Sequence, residues 1–286
     1  MWGISPCIPR LGTARQGAAR VSESSPRGGG GKGRDARAPI FFDTAVDALP
    51  APDWLHAAAS ELGIEFEDGP DGGDVEKLGK FLALLLRANE LLNLTAITEP
   101  EAAWRKHVLD SLTLVPLLSE LSAGASVADV GSGGGLPGIP LAISLPQLRF
   151  TLIEATAKKC RFLEAAAGAL GLTNTVVVNG RAEEVGHEKG LRETFDAVCA
   201  RAVGKLESLI ELTVPLVKPG GCVYFIKGAR AEEELAGAAG AIEKLHCAHA
   251  GTVPTPTGRI VVLEKLRATP GIYPRRSGEP GRKPLK

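Results

Sequence analysis

The chain has 286 residues, 44% of them apolar and 23% charged, which is enough to bury one large core or two modest ones and excludes disorder of the whole chain. No run approaches the roughly eighteen consecutive apolar residues of a membrane span. Net charge is zero but unevenly placed: residues 1–40 carry seven Lys/Arg against two acids and residues 267–286 six against one, leaving twenty basic and thirty acidic residues in 41–266. A net-negative body argues against a general nucleic-acid binder, so contact with phosphates must come from local patches or from the ends.

Residues 1–40 are Arg-rich and acid-poor, with a glycine run at 28–31 and no apolar periodicity. Such a segment cannot repay the entropy of ordering, and its composition resembles an organelle transit peptide, with no secretory apolar run; a disordered extension or a mispredicted start codon is the alternative. Apolar residues recur at helical spacing over 45–62 and 75–92, with a Gly/Asp-rich loop at 68–74 between them. A third helix is expected to open at Thr98, where Thr98 and Glu101 form a capping box and Pro100 sits in the first turn, and to run to about residue 118. Residues 41–122 thus read as a helical subdomain.

From 123 the texture changes to short apolar runs at 127–130, 150–153, 175–178, 197–199 and 222–226, alternating with helical segments. Continuous apolar strands of this kind belong to a parallel sheet covered on both faces. Residues 259–266 read as a last strand, antiparallel at a sheet edge, which closes the domain at 268; 269–286 hold too many Pro and Gly for regular structure and read as a basic tail. The five cysteines, Cys7, Cys160, Cys199, Cys222 and Cys247, are scattered, with no C-x-x-C pair and no His at zinc spacing, so reduced structural thiols and no metal site are expected.

The strongest motif is 128–141, a strand running into a glycine-rich turn and a helix opened by Pro137. Gly131, Gly133 and Gly135 let the backbone approach a ligand, and the helix beyond offers amides and a positive dipole end. Leu136 stands where a dinucleotide fingerprint wants a small residue, and Asp129 precedes the first glycine by two; both favour an adenosyl amino acid over a pyrophosphate. About twenty residues on, Glu154 ends the next strand where a carboxylate meets a ribose, followed by Ala155 and Thr156. The third strand ends before Ala182 and Glu183, where an adenine pocket lies in this fold class.

These residues, with Asn-Leu-Thr at 93–95, Arg-Lys-His-Val-Leu-Asp-Ser-Leu at 105–112, Lys-Cys-Arg-Phe-Leu at 159–163, Cys-Ala-Arg-Ala at 199–202, Lys227-Gly228 and the stretch 273–285, together resemble the guanine-N7 methyltransferases of bacterial small-subunit (16S) rRNA, also called glucose-inhibited division protein B. The resemblance spans roughly residues 50–286. It implies a Rossmann-like, mostly parallel seven-stranded sheet with helices on both faces, S-adenosyl-L-methionine as cofactor, and 16S rRNA or a small-subunit assembly particle as partner. It also implies cofactor contact by Gly131, Leu136, Glu154, Ala182, Glu183 and Arg201. The tail is like that of Gram-positive and cyanobacterial members, which with the leader suggests a chloroplast enzyme; a bacterial cytoplasm is the alternative, and a monomer is expected.

Guanine N7 carries a lone pair and no proton, so its methylation needs alignment and a dry pocket but no general base, and no residue is assigned as one. Arg201 and Lys227 are candidate positioning residues. Arg201 is suited to the cofactor carboxylate or an RNA phosphate. Arg105, His107, Lys227, Arg275, Arg276, Arg282 and Lys283 are candidate RNA contacts. His107, Asp110 and Ser111 share one helical turn and cannot build a hydrolase relay; they either hold the helical subdomain to the sheet or, with Arg105, line the RNA entrance. A nucleophilic Cys199, which pyrimidine-C5 methylation would want, lacks a partner to lower its pKa. The rival functions are an assembly factor that transfers no methyl group and a methyltransferase of another substrate.

Overall fold

The computed structural model describes residues 7–8, 43–68, 73–201 and 204–286; nearly all of the expected leader, the middle of the 68–74 loop and Ala202 lie outside them. The helical arm begins with α1 (Trp54–Glu61), later than the periodicity predicts. Pro50 and Pro52 lack amide donors and push their predecessors into extended backbone, so no helix forms over 45–53. α2 (Asp74–Leu92) buries Leu78, Phe81, Leu82 and Leu85 on one face and stops at Asn93, which takes the left-handed conformation at φ 50°. Gly79 within it lets the incoming chain cross against the helix, for a Cβ there would stand 2.4 Å from the Leu49 carbonyl.

The capping box at Thr98 does not form. Glu99 is the N-cap, its carboxylate accepting the amides of Glu101 and Ala102 ahead of α3 (Pro100–Ala103). α3 passes without a break through a π-helical turn (Trp104–Leu109) into α4 (Asp110–Leu112). Pro116 cannot donate to the Leu112 carbonyl, so the expected helix ends there and a separate turn, α5 (Val115–Leu118), follows.

Then come β1 (Ser126–Val130), α6 (Gly138–Ser144), β2 (Arg149–Glu154), α7 (Ala157–Ala169), β3 (Thr175–Asn179), α8 (Ala182–Val185), β4 (Phe195–Arg201), α9 (Leu206–Thr213), β5 (Val217–Lys227), α10 (Ala231–Gly237), α11 (Ala239–Lys244), β6 (Cys247–Thr255) and β7 (Gly258–Lys265). The seven strands lie in the order β3-β2-β1-β4-β5-β7-β6, parallel except for β7, which is antiparallel to both neighbours. This is the expected Rossmann-like sheet with one correction: the 259–266 strand is interior, and the edge belongs to β6. Gly251 and Pro254 weaken β6 as a strand pattern; the bulge between His249 and Gly251 and the edge position absorb them. One core, with Phe81, Trp104, Phe150, Phe162 and Val262, joins the arm to one sheet face, and a second, with Val198, Leu209, Phe225 and Val261, fills the other. Each wholly buried aromatic or aliphatic side chain there contributes about 1.5–3 kcal/mol.

Two further expectations are corrected. Residues 267–286 are not a loose tail but a folded strap, containing the short α12 (Glu279–Arg282) and burying Tyr273, Pro274, Pro280 and Leu285. Its carbonyls are satisfied by side chains instead of a strand ladder: Arg192 donates to Thr269, Pro270 and Tyr273, and Ser208 to Pro280. Lys265, fully buried, donates to Glu193, which also takes the Thr269 amide. The thiols are not all reduced: Cys7 and Cys222 form a disulfide with Cα atoms 5.9 Å apart, within the usual bridging range, while Cys160, Cys199 and Cys247 are free and buried.

Candidate active site

The parallel strands β1, β2, β3, β4 and β5 all end on one side of the sheet, and the candidate residues cluster there. Gly131, Gly133 and Gly135 take φ of 75°, 54° and 86°, the left-handed region where a side chain is strained, so the glycine spacing is a conformational requirement. A Cβ on Gly133 would meet nothing nearer than the Gly131 carbonyl at 3.7 Å, so the outer face of the turn is open. Glu154 spans its mouth: one carboxylate oxygen accepts the Gly133 amide at 3.0 Å and the other the Thr156 amide at 2.8 Å. Ala155 and Thr156 are exposed beside it, and Asn179 donates to the Glu154 and Ala155 carbonyls, fixing the end of β2 against β3. Leu136 is buried in the arm-side core.

Asp129 lies wholly buried beneath the loop. Its Oδ2 accepts the Gly138 amide at 3.0 Å, so the leading amide of α6 is spent inside the protein, and its Oδ1 has no hydrogen-bond partner. Burial pushes this carboxyl up to about 7, against the Gly138 amide and the nearby Arg201 charge.

Arg201, at the end of β4, is committed within the protein. It donates to the Lys106 carbonyl at 2.6 Å and to Asp110 at 3.1 Å, and lies 3.4 Å from His107 Nδ1. His107 Nε2 meets the Thr95 hydroxyl at 2.9 Å, and Asp110 also accepts from Thr257 in the β6–β7 turn. Burial, with Arg201 adding, holds His107 down to about 4, so it is neutral. Of the two readings of the 105–112 helix, His107 and Asp110 take the first, holding the arm to the sheet; Ser111 bonds the His107 carbonyl of its own helix. Sequence reasoning missed Thr257 because its strand pair went unread, and Asn89, whose side-chain carbonyl takes the amides of Leu94 and Thr95 and so presents Thr95 to His107.

Several candidate RNA contacts are corrected. His107 is buried and occupied. Lys227 is a buried ion pair, 2.7 Å from Glu234 and 2.9 Å from the Gly204 carbonyl. Arg275 grips the fully buried Glu211 with Nε and Nη2 and reaches the Lys283 carbonyl, so its charge is spent in holding the strap. Arg105 is exposed but stacks over Trp54 at 4.4 Å, with Glu101 at 3.7 Å. Arg276, Arg282 and Lys283 are exposed on the strap. Glu183 turns one carboxylate oxygen to the strap, accepting the Gly278 amide, while Ala182 beside it is half-buried. A recess of about 690 Å³ between α8 and the strap, lined by Glu184, His187, Ile272 and Arg276 among others, is separate from the glycine turn.

Cys199 is completely buried, its thiol directed at the Ala128 carbonyl, and burial raises its pKa well above the ordinary thiol value. It is no nucleophile. Among the described residues no group of three or more His, Cys, Asp or Glu could hold a metal ion, and no helix is long and apolar enough to cross a membrane.

A family model described as GidB, rRNA small subunit methyltransferase G, matches residues 74–256. A relative from Sorangium cellulosum (strain So ce56), named ribosomal RNA small subunit methyltransferase G, is 52% identical over 243 residues, covering 85% of this chain and 99% of its own. One of the same name from Rubrobacter xylanophilus is 45% identical over 213 residues, covering 71% and 81%. Among solved structures, a point mutant of the 16S rRNA (adenine(1408)-N(1))-methyltransferase from Catenulisporales acidiphilia aligns with a TM-score of 0.44 and 19% identity, over 51% of this chain and 87% of that one.

Proposed function

Because the chain belongs to the GidB family of small-subunit rRNA methyltransferases, we propose that it methylates N7 of one guanine in 16S rRNA with S-adenosyl-L-methionine as donor. The observation that carries the cofactor half of this reading is Glu154, a carboxylate held across the mouth of a turn of three left-handed glycines. The residues fit the group: the open face at Gly133 admits a ligand against the backbone, and Glu154 can exchange its two amide partners for the hydroxyls of a ribose. Asp129 and Gly138 brace the turn from below, Gly135 and Leu136 close it, and Ala155, Thr156, Ala182 and Glu183 flank the adenosyl side.

When bound, the cofactor supplies an electrophilic methyl group on a sulfonium. Methylation of the guanine N7 lone pair would release no proton, so the chain's work is alignment and exclusion of water. Arg201 serves that alignment by locking the arm over the ends of β1 and β4. The base must leave its stack to reach the methyl group, so the substrate is an unstacked guanine in folded rRNA or an assembly particle. The arginine-rich, acid-poor residues 1–40 support delivery to a chloroplast, although the relatives compared are bacterial.

Mass spectrometry of small-subunit rRNA from cells with and without the protein tests the reaction. Loss of a single 7-methylguanosine is expected, restored by wild type and not by Gly133→Val, whose β-branched side chain is strained at φ 54° and would stand in the ligand's approach. An unchanged 7-methylguanosine content would sink the reading in favour of another acceptor or an assembly role.

A further inference from the structure

The body of the chain is net negative, yet around the carboxyl ends of β1, β2 and β4 exposed lysines gather. Lys158 stands in the first turn of α7, two residues past the Thr156 amide that binds Glu154. Lys205 immediately precedes α9, in the loop leaving β4. Lys106 projects from the π-helical turn, and its carbonyl is the one Arg201 holds, which fixes it beside the end of β4. All three are exposed, and none enters an ion pair among the described residues.

The acids that could neutralise them are engaged elsewhere. Asp110 takes Arg201 and Thr257, Glu154 takes two amides, and Glu234 takes Lys227 and the Leu206 amide. Glu207 leans toward Gly237 on α10. Exposed acids stand on either side, Glu184 on α8 and Glu232 and Glu233 on α10, and bound the cationic surface.

We propose that Lys106, Lys158 and Lys205 form an arc around the cleft between the glycine turn and β4 that holds the phosphates of an RNA strand while the target base enters. The inference rests on the RNA reading above and names the surface that reading needs. Lysine is suited to this role, because a mobile point charge tracks a phosphate chain without demanding base identity, and each contact releases counter-ions. The strap, whose Arg275 is consumed by Glu211, is then scaffold and not the phosphate grip.

Binding to an unmethylated transcript of small-subunit rRNA, measured as a function of salt, decides it. For Lys106→Gln/Lys158→Gln/Lys205→Gln the slope of log affinity against log salt should shrink by about 2, so that raising salt fourfold weakens wild type about 15-fold more than the variant. Cofactor affinity by calorimetry should stay within about twofold, showing that the cleft is intact. Arg276→Gln/Arg282→Gln/Lys283→Gln should keep the wild-type slope. An arc variant with an unchanged slope, or a strap variant with the reduced one, overturns this inference alone, while wild type that binds neither the transcript nor an unmethylated small-subunit particle overturns it together with the reaction.

Discussion

The glycine turn at 131–137 and the strap at 267–286 are both glycine- and proline-rich, and both carry polar residues that invite a ligand, yet they use those groups in opposite ways. The turn keeps an open outer face and a carboxylate whose partners are two exchangeable backbone amides. The strap spends its donors and acceptors inward, on Glu211, Arg192 and Glu193. Composition does not distinguish a ligand site from a clasp; the destination of each hydrogen bond does.

The largest expected effect lies under the turn. Asp129 has its pKa raised from 3.8 to about 7, so its contribution to stability is fully present below pH 3.8 and is lost as pH rises through 7, on the order of 4 kcal/mol. His107 opposes it: held down from 6.5 to about 4, it contributes stability above pH 6.5 that is lost as pH falls through 4. Asp129→Asn cannot ionise, so urea midpoints of this variant should fall more steeply than wild type on going from pH 6.5 to 4 and hold up better at pH 8. Parallel curves for the two proteins would show that the buried carboxylate is not the titrating group.

In the strap, Arg275→Met leaves Glu211 buried without its cation. With Arg275 itself partly exposed, the loss should be about 3 kcal/mol, a fall in Tm of about 6–12 °C, and Glu211→Leu in the same chain should recover much of it. A fall below about 2 °C would mean that apolar contacts alone keep the strap in place. The smallest effect sharpens the contrast: Arg276→Ala, one residue on but exposed, should change stability by no more than about 0.5 kcal/mol in the same melt. A larger change would erase the distinction between neighbouring arginines.

Much of this was legible in the sequence because it depends on local rules. Strands β1 to β5 are continuous apolar runs, and the turn's glycines are spaced as a left-handed turn demands. What escaped depends on partners far along the chain. β6 is an edge strand with a proline and a bulge, stable only because β7 pairs with it. Arg201, Lys227 and Arg275 look alike as exposed-type cations; only the positions of Asp110, Glu234 and Glu211 reveal that all three are bound within the protein. The Cys7–Cys222 bridge joins residues 215 apart, beyond any spacing rule.

The Asp110 carboxylate joins parts of the chain that emerge from a ribosome at different times. Arg201 is 91 residues behind it and Thr257 is 147. At synthesis rates of about 5–20 residues per second, some 7–30 s separate the making of the arm from the arrival of its last polar partner. Through that interval β4 and β5 can pair while the arm is held by apolar contact and, later, one guanidinium. Closure of the cleft is therefore a late event in folding, and a chain truncated before the β6–β7 turn would have a glycine turn but no fully latched arm above it.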